Sequence, residues 1–169
     1  MNIQTVLATT KEDFELAKKL MKAYATDIGV DLTFQDFESE LEKVSTLYAN
    51  PEGAFVIAYH NSKPVGCFGI RKIDSEICEL KRMYLSKDVR GQGLGEKLLK
   101  EAIRMAVILK YDRMRLDTLP SMNSAIHLYQ KLGFKEIQPY RFNPIAGSKF
   151  MELELPRQFK KKVQDYERT

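Results

Sequence analysis

The stretch Arg90-Gly91-Gln92-Gly93-Leu94-Gly95-Glu96 constrains this chain more than any other. Three glycines fall within five residues. Ahead of them lies a strand-like run, Glu76 to Leu85. Behind them Gly93 to Lys110 carries Leu94, Leu98, Leu99, Ala102, Ile103, Ala106 and Leu109 at helical spacing. The glycines admit backbone conformations closed to other residues and turn successive N–H groups the same way. A helix N-terminus adds roughly half a positive charge, so loop and helix together form a cradle for a phosphate.

Two common phosphate binders do not fit the pattern. A dinucleotide loop, Gly-x-Gly-x-x-Gly, needs glycine or alanine at its sixth position, where Glu96 (from Gly91) or Leu98 (from Gly93) stands, even though Asp117 lies near a strand end downstream. A nucleotide-triphosphate loop would end in Gly-Lys-Ser/Thr, which is absent. The net charge of +4 is mild and suits a phosphate-bearing cofactor. Basic residues alternate with acidic ones except at Lys160 to Lys162, a solvated tail face, and no basic stripe with stacking aromatics marks a nucleic-acid reader.

The order of elements predicts the architecture. Ile3 to Leu7 reads as a strand and Lys11 to Ala25 as a helix through Phe14, Ala17, Leu20, Met21 and Tyr24. Phe34 to Tyr48 predicts one continuous helix, stopped by Asn50-Pro51-Glu52-Gly53. Ala54 to Tyr59, Pro64 to Lys72 and Glu76 to Leu85 are strands with short connections, hence antiparallel hairpins. After the long helix come a strand (Met114 to Thr118), a helix (Met122 to Leu132) and a last strand (Phe150 to Leu155). The fold class is α/β with a mixed α+β sheet: an antiparallel meander followed by a parallel β-α-β unit. Residues 1–155 read as one domain, and the polar tail 156–169 as an appendage with Phe159, Val163 and Tyr166 spaced for a short helix.

At 169 residues with 44% hydrophobic and 30% charged residues, the chain can bury one core and needs no membrane. Its longest apolar stretches, such as Ala54 to Tyr59 and Ala102 to Leu109, fall short of the roughly 20 residues of a span. Met1 to Phe14 has no secretory pattern, so the cytoplasm is the default location. Cys67 and Cys78 sit in apolar strand runs, as buried reduced thiols do, and no histidine joins them in a metal site or a nucleophilic pair.

The glycine loop resembles the Gln/Arg-x-x-Gly-x-Gly/Ala loop of the GNAT superfamily of acyl-CoA N-acyltransferases. A second stretch, Ala125-Ile126-His127-Leu128-Tyr129-Gln130-Lys131-Leu132-Gly133-Phe134, is similar to that family's Ala-x-x-Leu-Tyr-x-x-Leu-Gly-Phe helix end. The resemblance implies a GNAT-type fold, acetyl-CoA as co-substrate, no metal, and N-acetyltransferase chemistry in which an amine attacks directly in a ternary complex. It implies that acetyl-CoA splays the sheet between the fourth and fifth strands. The backbone of Met83, Tyr84 and Leu85 would then pair with the pantetheine arm, one N–H polarising the thioester carbonyl. The amides of Gly91, Gln92, Gly93, Leu94, Gly95 and Glu96, following Arg90, would hold the pyrophosphate. Tyr129 would protonate the departing thiolate of CoA. Many members carry an asparagine three residues before the helix alanine; Met122 stands there, and the carry-over moves to Asn123. Ser121 and Asn123 also have an ordinary role as helix-starting residues. Homodimers are common in the family, and no residue here specifies one.

Acyl transfer needs a neutral amine, so a base or a water chain must take its proton. Glu79-Leu80-Lys81-Arg82 places three charges inside a strand that lies mid-sheet, where charge needs compensation. Glu79 and Lys81 share a strand face and pair with each other or with neighbours, or Glu79 is the base, directly or through water; the two roles are compatible. Arg141, in Tyr140-Arg141-Phe142-Asn143-Pro144, is a candidate for a substrate carboxylate, although a loop arginine is ordinarily solvated. His60 and His127 read as surface histidines. The acceptor is a small-molecule or peptide amine. The alternative class is a non-catalytic acyl-CoA-binding sensor or interaction module, which would keep the glycine loop but need neither Glu79 nor Tyr129.

Overall fold

The computed structural model describes residues 2–156. A seven-stranded sheet runs in the order β1-β2-β3-β4-β5-β7-β6, with β1 Gln4–Leu7, β2 Ala54–His60, β3 Lys63–Lys72, β4 Ile77–Leu85, β5 Arg113–Thr118, β6 Lys135–Ile137 and β7 Lys149–Glu154. The helices are α1 Lys11–Ile28, α2 Phe37–Glu42, α3 Val44–Leu47, α4 Leu94–Ile108 and α5 Asn123–Lys131. Strands β1 to β4 form the expected antiparallel meander, and β4 pairs with β5 in parallel across α4. Among the described residues no helix is long and apolar enough to cross a membrane. The short helix expected through Phe159, Val163 and Tyr166 lies outside the described residues, as does the basic run Lys160 to Lys162.

Helices cover both faces of the sheet. On one, α4 buries Leu98, Leu99, Ala102 and Ala106, and α5 buries Tyr129, against Val56, Phe68, Ile70, Leu80, Met114 and Leu116. On the other, α1 buries Ala17, Leu20 and Met21 beside Phe37, Leu41, Val44 and Tyr48, over Phe55, Ile57 and Cys67. The chain enters α1 through a capping box, in which Thr10 accepts from the Asp13 amide and Asp13 accepts from the Thr10 amide.

The continuous helix expected over Phe34 to Tyr48 is instead three pieces: a single 3₁₀ turn at Thr33–Gln35, then α2, then α3. Asp36 takes a left-handed conformation at φ 54° and Lys43 a non-helical one at φ −103°, and each interrupts the ladder. The breaks let Gln35 and Glu40 reach Arg82 while Phe37, Leu41 and Val44 still enter the core. The third unexpected element is β6, three half-polar residues on the edge of β7.

The ladder between β4 and β5 covers only Ile77 to Glu79 against Arg113 to Arg115. Beyond Glu79 the two strands part. The cause lies in β4, where the register with β3 shifts so that Arg82 and Met83 stand opposite Phe68. Arg82 occupies this bulge at φ 56°, a conformation that costs a non-glycine residue energy unless its surroundings hold it there.

Candidate active site

The opening between the strands is a groove of about 710 Å³. One wall is Met83, Tyr84 and Leu85 of β4; the other is Asn123, Ala125, Leu128 and Tyr129 of α5; Arg90, Gly91 and Gly95 close its end. From Leu80 onward the edge of β4 that faces β5 has no ladder partner among the described residues, so its amides and carbonyls face the groove. Of the expected cofactor residues, Met83, Tyr84, Leu85, Arg90, Gly91, Gly95 and Asn123 line this groove, and Gln92, Gly93, Leu94 and Glu96 do not.

Each part of the loop has a local cause. Gly91 and Gly93 lie at φ 77° and 73°, where side chains are disfavoured. Gly93 starts α4, and no side chain caps the helix, which leaves its first N–H groups for an anion. Gly95 is different: a Cβ built there would meet Leu128 and Leu85 only at 3.6 and 3.9 Å, ordinary contact distances. The packing of the protein itself therefore does not require glycine at that position, which leaves the helix start open to the groove. The loop and the uncapped helix thus fit a pyrophosphate, and the length of unpaired strand above them fits an extended amide chain.

Arg90 does not point free into the groove. Its Nε donates to the Leu85 carbonyl at 2.8 Å and its Nη2 to Asp27 of α1, which also takes Lys87 at 2.9 Å. Those hydrogen bonds, Arg90's first, hold the Asp27 carboxyl below the usual range. Glu96 pairs with Lys100 at 2.8 Å and with Lys131 of α5 at 2.6 Å, so its side chain ties α4 to α5 and only its amide is left for a ligand. Neither Ser121 nor Asn123 caps α5; Met122 precedes the helix without a side-chain cap, and Asn123 lines the groove.

Tyr129 is buried, with its ring 5.6 Å from that of Phe134, and it lines the groove. Burial pushes its phenol well above the usual range, assisted by Tyr24 and Asp117. Beside the groove lies a small cavity of about 30 Å³ lined by Tyr129, Met83, Leu116, Tyr24, Arg82 and Asp117, among others. Next to it is a polar cavity of about 40 Å³ lined by Gln35, Lys81, Arg82, Asp117, Arg141 and Asn143, among others. The groove and the polar cavity therefore lie on either side of this small cavity, which shares Tyr129 and Met83 with the groove and Arg82 and Asp117 with the polar cavity.

The polar cavity is held by two buried ion-pair networks. Arg82 donates Nε and Nη2 to Glu40 and Nη1 to Gln35, with Phe37 and Tyr24 against its guanidinium face at 5.0 and 5.8 Å. Burial alone would raise the Glu40 carboxyl, but the Arg82 hydrogen bonds and charge outweigh it, and the carboxyl lies below its ordinary value. Tyr48 donates to the same carboxylate. In the second network Glu79 accepts from Tyr140 at 2.6 Å and from Arg141 at 3.1 Å and pairs with Lys81 at 3.5 Å. Arg141 also reaches Asp117, which accepts from Asn143 at 3.0 Å and Gln35 at 3.4 Å. Glu79 itself is not on the cavity wall; Lys81 and Arg141 are.

Arg141 is thus a correction to the expectation of a solvated loop arginine: its side chain is largely buried between two carboxylates. Lys81 and Arg82, adjacent in sequence, would point to opposite faces of a regular strand; the bulge puts both on the cavity. Tyr24, Asp27, Gln35 and Glu40 escaped sequence reasoning. Glu40 alone left a signal, because a charge at the spacing of Phe37, Leu41 and Val44 falls on a buried helix face. Cys67 and Cys78 are buried free thiols, both pushed far up by burial, and neither lines the groove or the polar cavity.

Residues 16–134 match the model of the acetyltransferase (GNAT) family. An uncharacterised N-acetyltransferase of Schizosaccharomyces pombe is 34% identical over 158 residues, which span 92% of this chain and 97% of that protein. A GNAT family acetyltransferase from Staphylococcus aureus Mu50 superposes with a TM-score of 0.75 at 25% identity, covering 92% of this chain and 100% of the other. A GNAT family acetyltransferase from Elizabethkingia anophelis with acetyl-CoA bound superposes with a TM-score of 0.59 at 23% identity, covering 91% of this chain and 99% of the other.

Proposed function

The chain belongs to the acetyltransferase (GNAT) family, and on that premise we propose that it moves an acetyl group from acetyl-CoA to an amine by direct attack, with both substrates bound at once. The observation that carries this reading is that a cofactor-sized groove and a separate polar cavity lie next to each other, with Tyr129 lining the groove and the small cavity beside it. Acetyl-CoA supplies an acetyl group activated as a thioester. The bound-cofactor neighbour supports the choice of donor.

The residues of this chain divide the work. The amides of Gly91 to Glu96 and the start of α4 hold the pyrophosphate, with Arg90 beside them. The unpaired edge of Met83, Tyr84 and Leu85 aligns the pantetheine arm, and an amide there polarises the thioester carbonyl. Tyr129, kept protonated by burial, gives its proton to the leaving thiolate. Glu79 receives the amine's proton by way of water, since Lys81 and Arg141 stand between its carboxylate and the cavity.

Because neither cysteine reaches the groove, no acyl group needs to rest on the protein. Initial velocities measured with acetyl-CoA and amine both varied are expected to give intersecting reciprocal plots. Parallel plots would mean a covalent acyl-enzyme and would remove direct attack.

A further inference from the structure

The polar cavity has more hydrogen-bond donors than acceptors to meet them. Arg141 gives Nη1 to Glu79 and Nη2 to Asp117, but its buried Nε has no partner. The Lys81 side chain is 3% exposed, and its ammonium, with three N–H groups to place, has one ion pair, to Glu79 at 3.5 Å, too long for a good hydrogen bond. Both cations reach for the same Glu79 Oε1, so they stand side by side on the cavity wall. Arg82 makes the contrast: Glu40 and Gln35 together occupy its Nε, Nη1 and Nη2. A buried donor left without an acceptor is costly, and Arg141 Nε, with the weakly paired Lys81 ammonium on the same cavity wall, calls for an acceptor in that cavity. Burial holds the Lys81 ammonium down to about 8, which belongs to the same shortage of counter-charge.

Resting on the acetyltransferase reading, we propose that the acceptor is a small amine carrying a carboxylate, in the simplest case an amino acid, and that its carboxylate seats on Arg141 Nε and Lys81 Nζ. The cavity of about 40 Å³ admits such a group, since one water needs roughly 10–15 Å³. A carboxylate takes charge-assisted bonds from both donors, whereas an amide or ester brings neither the charge nor a second equivalent oxygen. The amine then faces the adjoining small cavity that Tyr24, Asp117 and Tyr129 line. Attack forms the amide C–N bond, breaks the thioester C–S bond, and sends one proton from the amine to the base and another from Tyr129 to the CoA thiolate.

Matched pairs of amino acid and amino-acid amide, assayed with acetyl-CoA on wild type, Arg141→Gln and Lys81→Met, test this. The wild type is expected to favour the free acids by about 10- to 100-fold in kcat/KM, and the preference is expected to disappear in both variants. Thermal stabilisation by CoA, unchanged in the variants, reports that they fold and keep the donor site. Amides accepted as well as acids, or transfer only to amines that lack a carboxylate, would overturn the inference and leave the acetyltransferase reading standing. No transfer to any amine by a CoA-stabilised wild type would sink both.

Discussion

In the proposed mechanism Tyr129 and Glu79 are assigned the two proton transfers, and they differ in how directly they reach the site. Burial keeps the Tyr129 phenol protonated through neutral pH, which suits a donor. Tyr129→Phe preserves the contact with Phe134 and removes only the hydroxyl, so kcat is expected to fall about 100-fold with the KM for acetyl-CoA near that of wild type. Equal loss in both constants would assign Tyr129 to packing. Glu79→Gln keeps the shape of the carboxylate and removes its charge; kcat/KM is expected to fall about 100-fold, and an unchanged value with a true substrate would confine Glu79 to its ion pairs. Tyr129 was legible because it stands in a helix-end motif. The partners of Glu79 were only half legible: Lys81 is two residues away on the same face, but Tyr140 and Arg141 come from a loop 61 and 62 residues on, and no local pattern encodes that return.

The start of α4 and the tie from α2 to β4 decide whether the site exists. Gly95 lies inside α4, and a methyl group there meets no clash within the protein. Gly95→Ala is therefore expected to stabilise the fold by up to about 1 kcal/mol through helix propensity and yet to raise the KM for acetyl-CoA, because the methyl intrudes where the pyrophosphate approaches. A stabilised variant with unchanged KM would remove the cradle from α4. The Glu40–Arg82 pair holds the bulge residue from the other side. Glu40→Gln leaves a buried guanidinium without its counter-charge, at a cost of about 3–5 kcal/mol. The carboxyl is held below its ordinary value of 4.5, so the pair's contribution is whole above that pH and is lost as pH falls below it. Denaturant unfolding of wild type and Glu40→Gln should show a gap that is full at pH 7 and narrows below 4.5; a gap independent of pH would contradict the pairing. The sequence pattern reads as one helix over Phe34 to Tyr48 because its apolar spacing barely shifts at Asp36 and Lys43. The breaks answer to Arg82, a contact 42 residues away.

At the scale of the molecule, one irregularity makes both sites. The bulge at Arg82 parts β4 from β5 beyond Glu79, which opens the groove on one side of the split and the polar cavity on the other. The meander and the parallel crossover could be read from the chain, because short turns, the glycine loop and helical spacing are local signals. The split's depth could not, since it depends on a positive φ at an arginine that the strand pattern treats as ordinary. β6 escaped because three half-polar residues carry no period. The direct measurement of the central claim is thiol release from acetyl-CoA across a panel of amino acids, peptides and simple amines, with acetylated product followed by mass spectrometry. The account predicts free CoA and N-acetyl product appearing in equal amounts with at least one amine, and Tyr129→Phe slowing both together. Tight binding of acetyl-CoA with no amine-dependent thiol release across the panel would contradict it and leave a binding module in place of an enzyme.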